Sequence, residues 1–503
     1  MIDLILLYPV VILVELFRSA VTQRKEFFAL INLGVAQRLL RRMGIIRAYR
    51  VYNLARRTCP AYKKFLDEAG CRRLAFGQSL SLLPITNKEN YVKKYSIEER
   101  CYGGRIPRHG VVIDESSGSS GTPNNWVRGP EDRADIKKIL QFSFAFTYRE
   151  KDLFVVNCFA LGPWATGMNV SMSLVDSAIL KSIGPDVQKL ENTLRIFGPK
   201  YNYLIAGYPP FIKLFLDQTG LDLSPYELHL VTGGEGMSAG LRAHFEKTFK
   251  SVVSSYGASD LDINIGAETE FTIQLGRVAH RDPELANRLF GQTRVPMIFQ
   301  YNPMDFYVEV APTGELIYTV NRRRSAAPKV RYDLKDLGGV LTFREVAAAL
   351  RESGMKPQAL ASRVSCLPLL FVYGRGDLAV PFYGAKVLTS DIDSVINNTQ
   401  VLAAAFYSFR LSVFEDESLE HYLKLTLQCR RRASAVEFTR EQTEEFRSLF
   451  FDELKALNQD FREVSKMFTR EKLVLDIHGF QEGPFHGEDV RVKLNYLGQK
   501  GPA

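Results

Sequence analysis

Between Asp114 and Pro123 the chain reads Asp-Glu-Ser-Ser-Gly-Ser-Ser-Gly-Thr-Pro, directly after the β-branched run Val111, Val112 and Ile113. Glycines let backbone N–H groups converge on an anion, and hydroxyls add donors around phosphate oxygens. The chemistry on offer is a phosphate cradle made by Ser116, Ser117, Gly118, Ser119, Ser120, Gly121 and Thr122. It is not the loop of P-loop nucleotidases, because the Gly-Lys-Ser/Thr ending is absent and Thr122 runs into Pro123. On composition alone a flexible surface loop fits equally well.

Further short segments follow. Thr232-Gly233-Gly234-Glu235 is a glycine turn ending in an acid, and Ser255-Tyr256-Gly257-Ala258-Ser259-Asp260 follows some twenty residues later. Arg331-Tyr332-Asp333-Leu334-Lys335-Asp336-Leu337 and Gly374-Arg375-Gly376-Asp377 come next, with Gly384-Ala385-Lys386-Val387 beyond them. Near the C-terminus stands Val492-Lys493-Leu494-Asn495-Tyr496. Alone, each has a plain reading: Asp260 stabilises a turn, Gly-Arg-Gly-Asp is a turn, and Lys493 is a solubilising charge.

In this order the segments resemble the adenylate-forming superfamily of acyl-CoA synthetases, above all its phenylacetate-CoA ligase-like branch, from about Leu82 to Tyr496. The family's SSGTTGxP loop closes over the ATP phosphates and matches Ser116–Pro123, and Leu-Pro-Ile-Thr-Asn-Lys-Glu-Asn-Tyr upstream looks like its lead-in. The resemblance places Gly234 and Glu235 beside the adenine. Ser255, Tyr256 and Gly257 match the YGxSE motif, with Tyr256 against the adenine ring. It implies Asp260 as a Mg²⁺ ligand, in place of the usual Glu, with Glu268 as an additional candidate because Asp reaches less far. Asp336 matches the ribose-binding aspartate of RYRTGDL, since a carboxylate accepts from two adjacent hydroxyls. Arg375 contacts the nucleotide, Asp377 is the hinge, and Leu378 stands where a second Asp is usual. Lys493 is the implied catalytic lysine, with Lys500 as the alternative.

The implied activity is ATP-dependent conversion of a carboxylic acid to an acyl-adenylate, then transfer to a thiol such as coenzyme A. An amine or a carrier protein is an alternative acceptor, and a homologue that binds nucleotide without turnover is an alternative reading. The aryl or aliphatic acid is expected beside Phe159–Gly167, with Tyr208 and Pro209 near, although core packing explains the same residues.

These residues need scaffolds. At 503 residues the chain exceeds the size of one core, so two or more domains are expected. From Phe154 to about Leu275, β-like runs such as Leu-Phe-Val-Val-Asn alternate with helical stretches, which indicates a layered α/β fold. Closely spaced strands from Phe306 to Thr342 predict an antiparallel β subdomain. A helical insertion, Phe343–Gly354, has no assigned role. After the hinge at 375–377, residues 378–503 predict a small, mobile α+β domain with a strand over Val401–Phe414 and one helix over Glu441–Met467. Residues 1–75 read as a helical lead-in and 76–374 as the large α/β core.

The net charge of +9 is small for this length, and no nucleic-acid partner is expected. Six scattered cysteines without CxxC spacing exclude a zinc site and fit a reducing, cytoplasmic compartment. Residues 2–17 are nearly all apolar but short for a membrane span, so a docked helix and a peripheral membrane contact are both expected possibilities.

Overall fold

The computed structural model describes residues 2–16, 34–115, 124–148, 152–383, 385–416, 420–430, 438–488 and 496–498. The chain opens with helix α1 (Ile2–Leu16) and helix α2 (Gly34–Thr58), which pack on each other. Cys59 is extended and Pro60 starts the next helix, Pro60–Glu68, because proline suits a first helical turn but not an interior. Gly70 follows at φ +60°, the left-handed conformation that suits glycine just after a helix end. A β-hairpin comes next, with β1 (Val112–Glu115) antiparallel to β2 (Asn125–Arg128).

Strands β3 (Leu153–Asn157), β4 (Ile179–Ser182), β5 (Asn202–Gly207), β6 (Glu227–Gly233) and β7 (Ser251–Ala258) alternate with helices. They pair in parallel in the order β4-β3-β5-β6-β7. Strands β8 (Asp262–Ala267), β9 (Met297–Tyr301), β10 (Phe306–Val310), β11 (Glu315–Val320), β12 (Tyr332–Leu341) and β13 (Leu369–Arg375) continue from β7 with antiparallel pairing, in the order β8-β9-β13-β12-β11-β10. The expected antiparallel strands, β10, β11 and β12, are thus part of one eleven-stranded sheet. The edge of β7 would otherwise leave backbone donors and acceptors unpaired, and β8 satisfies them. Gly257 makes this approach possible: a Cβ there would lie 1.9 Å from the Ile263 carbonyl oxygen.

The insertion helix, Phe343–Glu352, begins with a Thr342–Glu345 capping box and buries Val346 and Leu350 against Phe271, Leu275, Leu285 and Leu289. It covers the sheet, a structural role that its amphipathic pattern allows.

The C-terminal part has its own apolar core, from Val380 to Leu473. A hairpin of β14 (Ala379–Phe382) and β15 (Ala385–Leu388) leads to a sheet in which β16 (Phe406–Glu415) is antiparallel to β17 (His421–Cys429), itself parallel to β18 (Leu473–His478). Two local expectations are corrected. The predicted strand over Val401–Phe414 begins as a helix, Gln400–Ala405, consistent with the high helix propensity of its three alanines. The predicted helix over Glu441–Met467 breaks at extended Asn458, whose side chain caps a second helix and donates to Asp391 at 2.8 Å.

The two parts meet through specific contacts. Gly240 donates its N–H to Asn398 Oδ1 at 2.7 Å, Arg430 grips Asp217 at 2.5 and 2.7 Å, and Arg294 pairs with fully buried Asp391 at 2.6 Å. Lys213 donates to the carbonyls of Phe406 and Tyr407 at 3.3 and 3.2 Å, and burial pulls its pKa down to about 7. At Gly240 a Cβ would lie 1.9 Å from the Asn397 carbonyl oxygen. Gly240→Ala should therefore force helix Ala239–Phe245 and helix Thr389–Asn398 apart at a cost of about 1–3 kcal/mol, read as a lower urea midpoint and faster proteolysis near residues 375–384. Wild-type cleavage rates would show that the close approach does not hold the interface.

Candidate functional site

The hairpin that precedes the sheet is held by one buried arginine. Arg128, on β2, donates from Nε to Asp114 at 2.8 Å and from its two terminal nitrogens to the backbone carbonyls of Leu261 and Ser259, at 3.1 and 2.5 Å. Asn169 adds weaker contacts to Asp114 at 3.3 and 3.4 Å. Glu115 is the register partner of Asn125 and donates its N–H to Pro163 at 2.8 Å. The residues flanking the Ser/Gly segment are thereby fixed next to each other and to the turn that carries Asp260. Ser116, Ser117, Gly118, Ser119, Ser120, Gly121 and Thr122 themselves lie outside the described residues.

A cavity of about 80 Å³ opens at the carboxyl ends of the parallel strands, where open α/β sheets bind ligands. Its walls include Phe159, Trp164, Val170, Leu174 and Tyr208, and its other side is formed by Gly233, Gly234, Ser255 and Gly257. The expected acid-binding segment and two of the expected nucleotide segments therefore line one space. Gly234 sits at φ +81°, a left-handed turn that suits glycine. Phe159 meets Tyr208 edge-on at 4.9 Å.

Beyond the cavity lies a cluster of charge at the ends of β7, β12 and β13. Tyr256 stacks on Phe299 at 5.3 Å, its hydroxyl is 2.9 Å from that of Tyr318, and it donates to Asp336. Burial and the Asp336 carboxylate push the Tyr256 phenol well above its ordinary pKa, so it stays a donor. Asp336 on β12 faces Arg375 on β13 as its cross-strand partner. Arg375 closes a bidentate pair with Asp377 at 2.8 and 2.5 Å, which folds the Gly-Arg-Gly-Asp turn on itself. Asp260 receives the Tyr332 hydroxyl and the Lys88 ammonium on the same oxygen, both at 3.1 Å.

Glu268 is held in an internal ion pair. Arg242 holds both of its oxygens at 2.5 and 2.6 Å, and the Ser254 N–H adds a bond at 2.7 Å. Burial raises its carboxyl pKa while Arg242 opposes the rise. This internal ion pair braces β7 and occupies both Glu268 oxygens. Among the described residues no three metal-binding side chains cluster. Mg²⁺ commonly uses one carboxylate with substrate phosphates, so Asp260 alone fits such a site, with Lys88 as its competitor.

Lys493 and Lys500 lie outside the described residues. Tyr496 does not: its backbone pairs with Leu411 at 2.8 Å, and its hydroxyl donates to Glu235 at 3.1 Å. Sequence reasoning passed over Lys88, Arg128, Tyr332 and Tyr496. Lys88 follows the Asn87 cap and Tyr332 adjoins Asp336, so both lay inside segments already singled out. Arg128 carried no local signal, because its partners are 14 to 133 residues away.

The described residues form a large mixed-sheet α/β body with a small α+β C-terminal part, a fold shared with solved acyl-CoA ligases. The solved structures similar to it include 2-hydroxyisobutyryl-CoA ligase in the postadenylation state with R3-HIB-AMP, at a TM-score of 0.64 and 15% identity, covering 90% of this chain and 88% of that one. The same ligase in an open conformation with 2-HIB-AMP and CoA matches at 0.57 and 15% identity, over 83% and 90% of the two chains. In its thioesterification state, again with 2-HIB-AMP and CoA, it matches at 0.52 and 15% identity, over 93% and 90%. No protein-family model matches the chain, and no curated protein matches it by sequence.

Glu268→Gln should weaken the pairing of buried Arg242 and cost about 3–5 kcal/mol if the ion pair is lost. A urea unfolding midpoint equal to the wild type would overturn the structural role given to Glu268.

Proposed function

We propose that the protein activates a carboxylic acid with ATP as an acyl-adenylate and passes the acyl group to a thiol such as coenzyme A. One observation carries this reading. An apolar cavity and a Tyr256–Asp336–Arg375 cluster adjoin at the sheet end, on a fold shared with ligases that bind acyl-AMP and CoA.

Tyr256 positions Asp336 to accept from both ribose hydroxyls, and Arg375, freed from Asp377, offers its guanidinium to the nucleotide. The hydroxyls and backbone amides of 116–122 would donate to the β- and γ-phosphates, and Asp260 would hold Mg²⁺, which would supply charge neutralisation for the leaving pyrophosphate. Lys493 offsets charge where the acid attacks the α-phosphorus. The Tyr496 hydroxyl on Glu235 brings the C-terminal part to the segment expected beside the adenine. Asp377 serves as the hinge that withdraws the lysine before thiol attack. The phenylacetate-CoA ligase-like assignment rests on the motif order. An amine or carrier-protein thiol would be accommodated by the same first step.

The cavity walls, Phe159, Trp164 and Tyr208, favour an aryl or aliphatic acid. A second reading, nucleotide binding without turnover, is favoured by Lys88, whose ammonium sits on Asp260 where a cation would bind.

Pyrophosphate exchange with pooled carboxylic acids, followed by mass analysis of the product, tests both. Acid-dependent exchange that is lost in Lys493→Ala with ATP binding retained is the expected result. Tight ATP binding without exchange for any acid would favour the second reading. Asp336→Asn should raise the KM for ATP about tenfold to a hundredfold, the weight of hydrogen bonds to a charged group. Trp164→Ala should shift acid preference towards longer chains in the same assay, and an unchanged ranking would remove the cavity from the acid site.

A further inference from the structure

One helix of the large body both adjoins the cavity and seats the C-terminal part. Helix Pro209–Gln218 starts from Tyr208, which lines the cavity, and buries Phe211, Ile212 and Phe215 in the core of the body. Its opposite face presents Pro210, Lys213 and Asp217, spaced i, i+3 and i+7. Each of the three holds the C-terminal part. The Pro210 carbonyl accepts from the Tyr407 hydroxyl at 3.3 Å, Lys213 donates to the Phe406 and Tyr407 carbonyls, and Asp217 takes Arg430. The Arg430 N–H in turn donates to the Ala405 carbonyl at 3.1 Å, so these bonds converge on the start of β16.

Lys213 is the residue that packing alone does not explain. It is 4% exposed, and an ammonium so far from water persists only where acceptors replace its hydration. Those acceptors are backbone carbonyls of the C-terminal part, and the Tyr407 ring lies 5.5 Å from the ammonium. An apolar side chain would fill the same space without that demand. The lysine adds bonds that form only when β16 lies against this helix.

Strand β16 carries the effect to the site. Its Leu411 donates its N–H to the Tyr496 carbonyl at 2.8 Å and accepts from the Gly498 N–H at 2.9 Å. Tyr496 packs on Phe409 at 5.0 Å and sets its hydroxyl 3.1 Å from Glu235, which follows Gly234 of the cavity wall. We infer that Lys213 is a positioning residue: by fixing the start of β16 on the helix that leaves the cavity, it sets Tyr496 against Glu235 in the arrangement that adenylates the acid. This inference rests on the ligase reading and assigns one conformational requirement of its first step.

Two substitutions on the same helix face test it, Lys213→Met, which keeps the aliphatic stem, and Asp217→Asn, which releases Arg430 at a partly exposed position. The first readout needs no turnover. Limited proteolysis near residues 375–384 should run about tenfold faster in both variants, the weight of one or two hydrogen bonds, with the circular dichroism of the wild type. The second readout separates the half-reactions. In Lys213→Met, pyrophosphate exchange with pooled carboxylic acids should fall about tenfold in kcat at an unchanged ATP dissociation constant, while thioester formation from the isolated acyl-adenylate and coenzyme A keeps its rate. Wild-type cleavage rates in both variants would overturn the seating. Wild-type exchange in Lys213→Met, or an equal loss in both half-reactions, would overturn the positioning role. Exchange absent from the wild type with every acid would sink the ligase reading, and with it the assignment to adenylation, while the cleavage rates would still decide whether Lys213 seats β16.

Discussion

The site depends on a guanidinium with nowhere else to go. Arg128 is 5% exposed, and a charge so far from water persists only when its donors are matched. Asp114 across the hairpin and the carbonyls of Ser259 and Leu261 supply that match. One side chain thus ties the segment preceding the Ser/Gly run to the turn bearing Asp260, over more than a hundred residues of sequence. Planar, forked geometry is what lets one residue address a carboxylate and two carbonyls at once, which a lysine does not reproduce.

A second constraint is the change from parallel to antiparallel pairing at β7. Parallel strands end their carboxyl termini together and open a crevice there, while the antiparallel half brings the returning ends of β12 and β13 to the same side. Gly257 lies at the junction and lets β8 close against β7. The cavity, Tyr256 and Asp336 share one neighbourhood for this reason. Glu268, although near β7 in sequence, is directed to Arg242 and braces the strand from behind.

The C-terminal part is joined to this body by polar and charged contacts more than by a shared apolar core. Its own cluster starts at Val380, and Arg430–Asp217, Arg294–Asp391 and the Lys213 bonds to backbone carbonyls bridge the boundary. Polar contacts of this kind are usual between domains of one chain. Tyr496 on Glu235 is the same kind of link, close to the site itself.

Much of this was legible in the sequence because it is local. Period-two and helical patterns marked β3, β5, β6 and β7 and the helices between them. The order of glycine turns and acids marked the segments that line the cavity. What the sequence did not determine is long-range: that the antiparallel strands extend one sheet, that Asn458 breaks a helix to reach Asp391, that Arg242 claims Glu268, and that Lys88 reaches Asp260. The physical reason is that hydrogen-bond propensity and amphipathic period act over a few residues, whereas burial obliges each charge to find its partner wherever the chain has brought one.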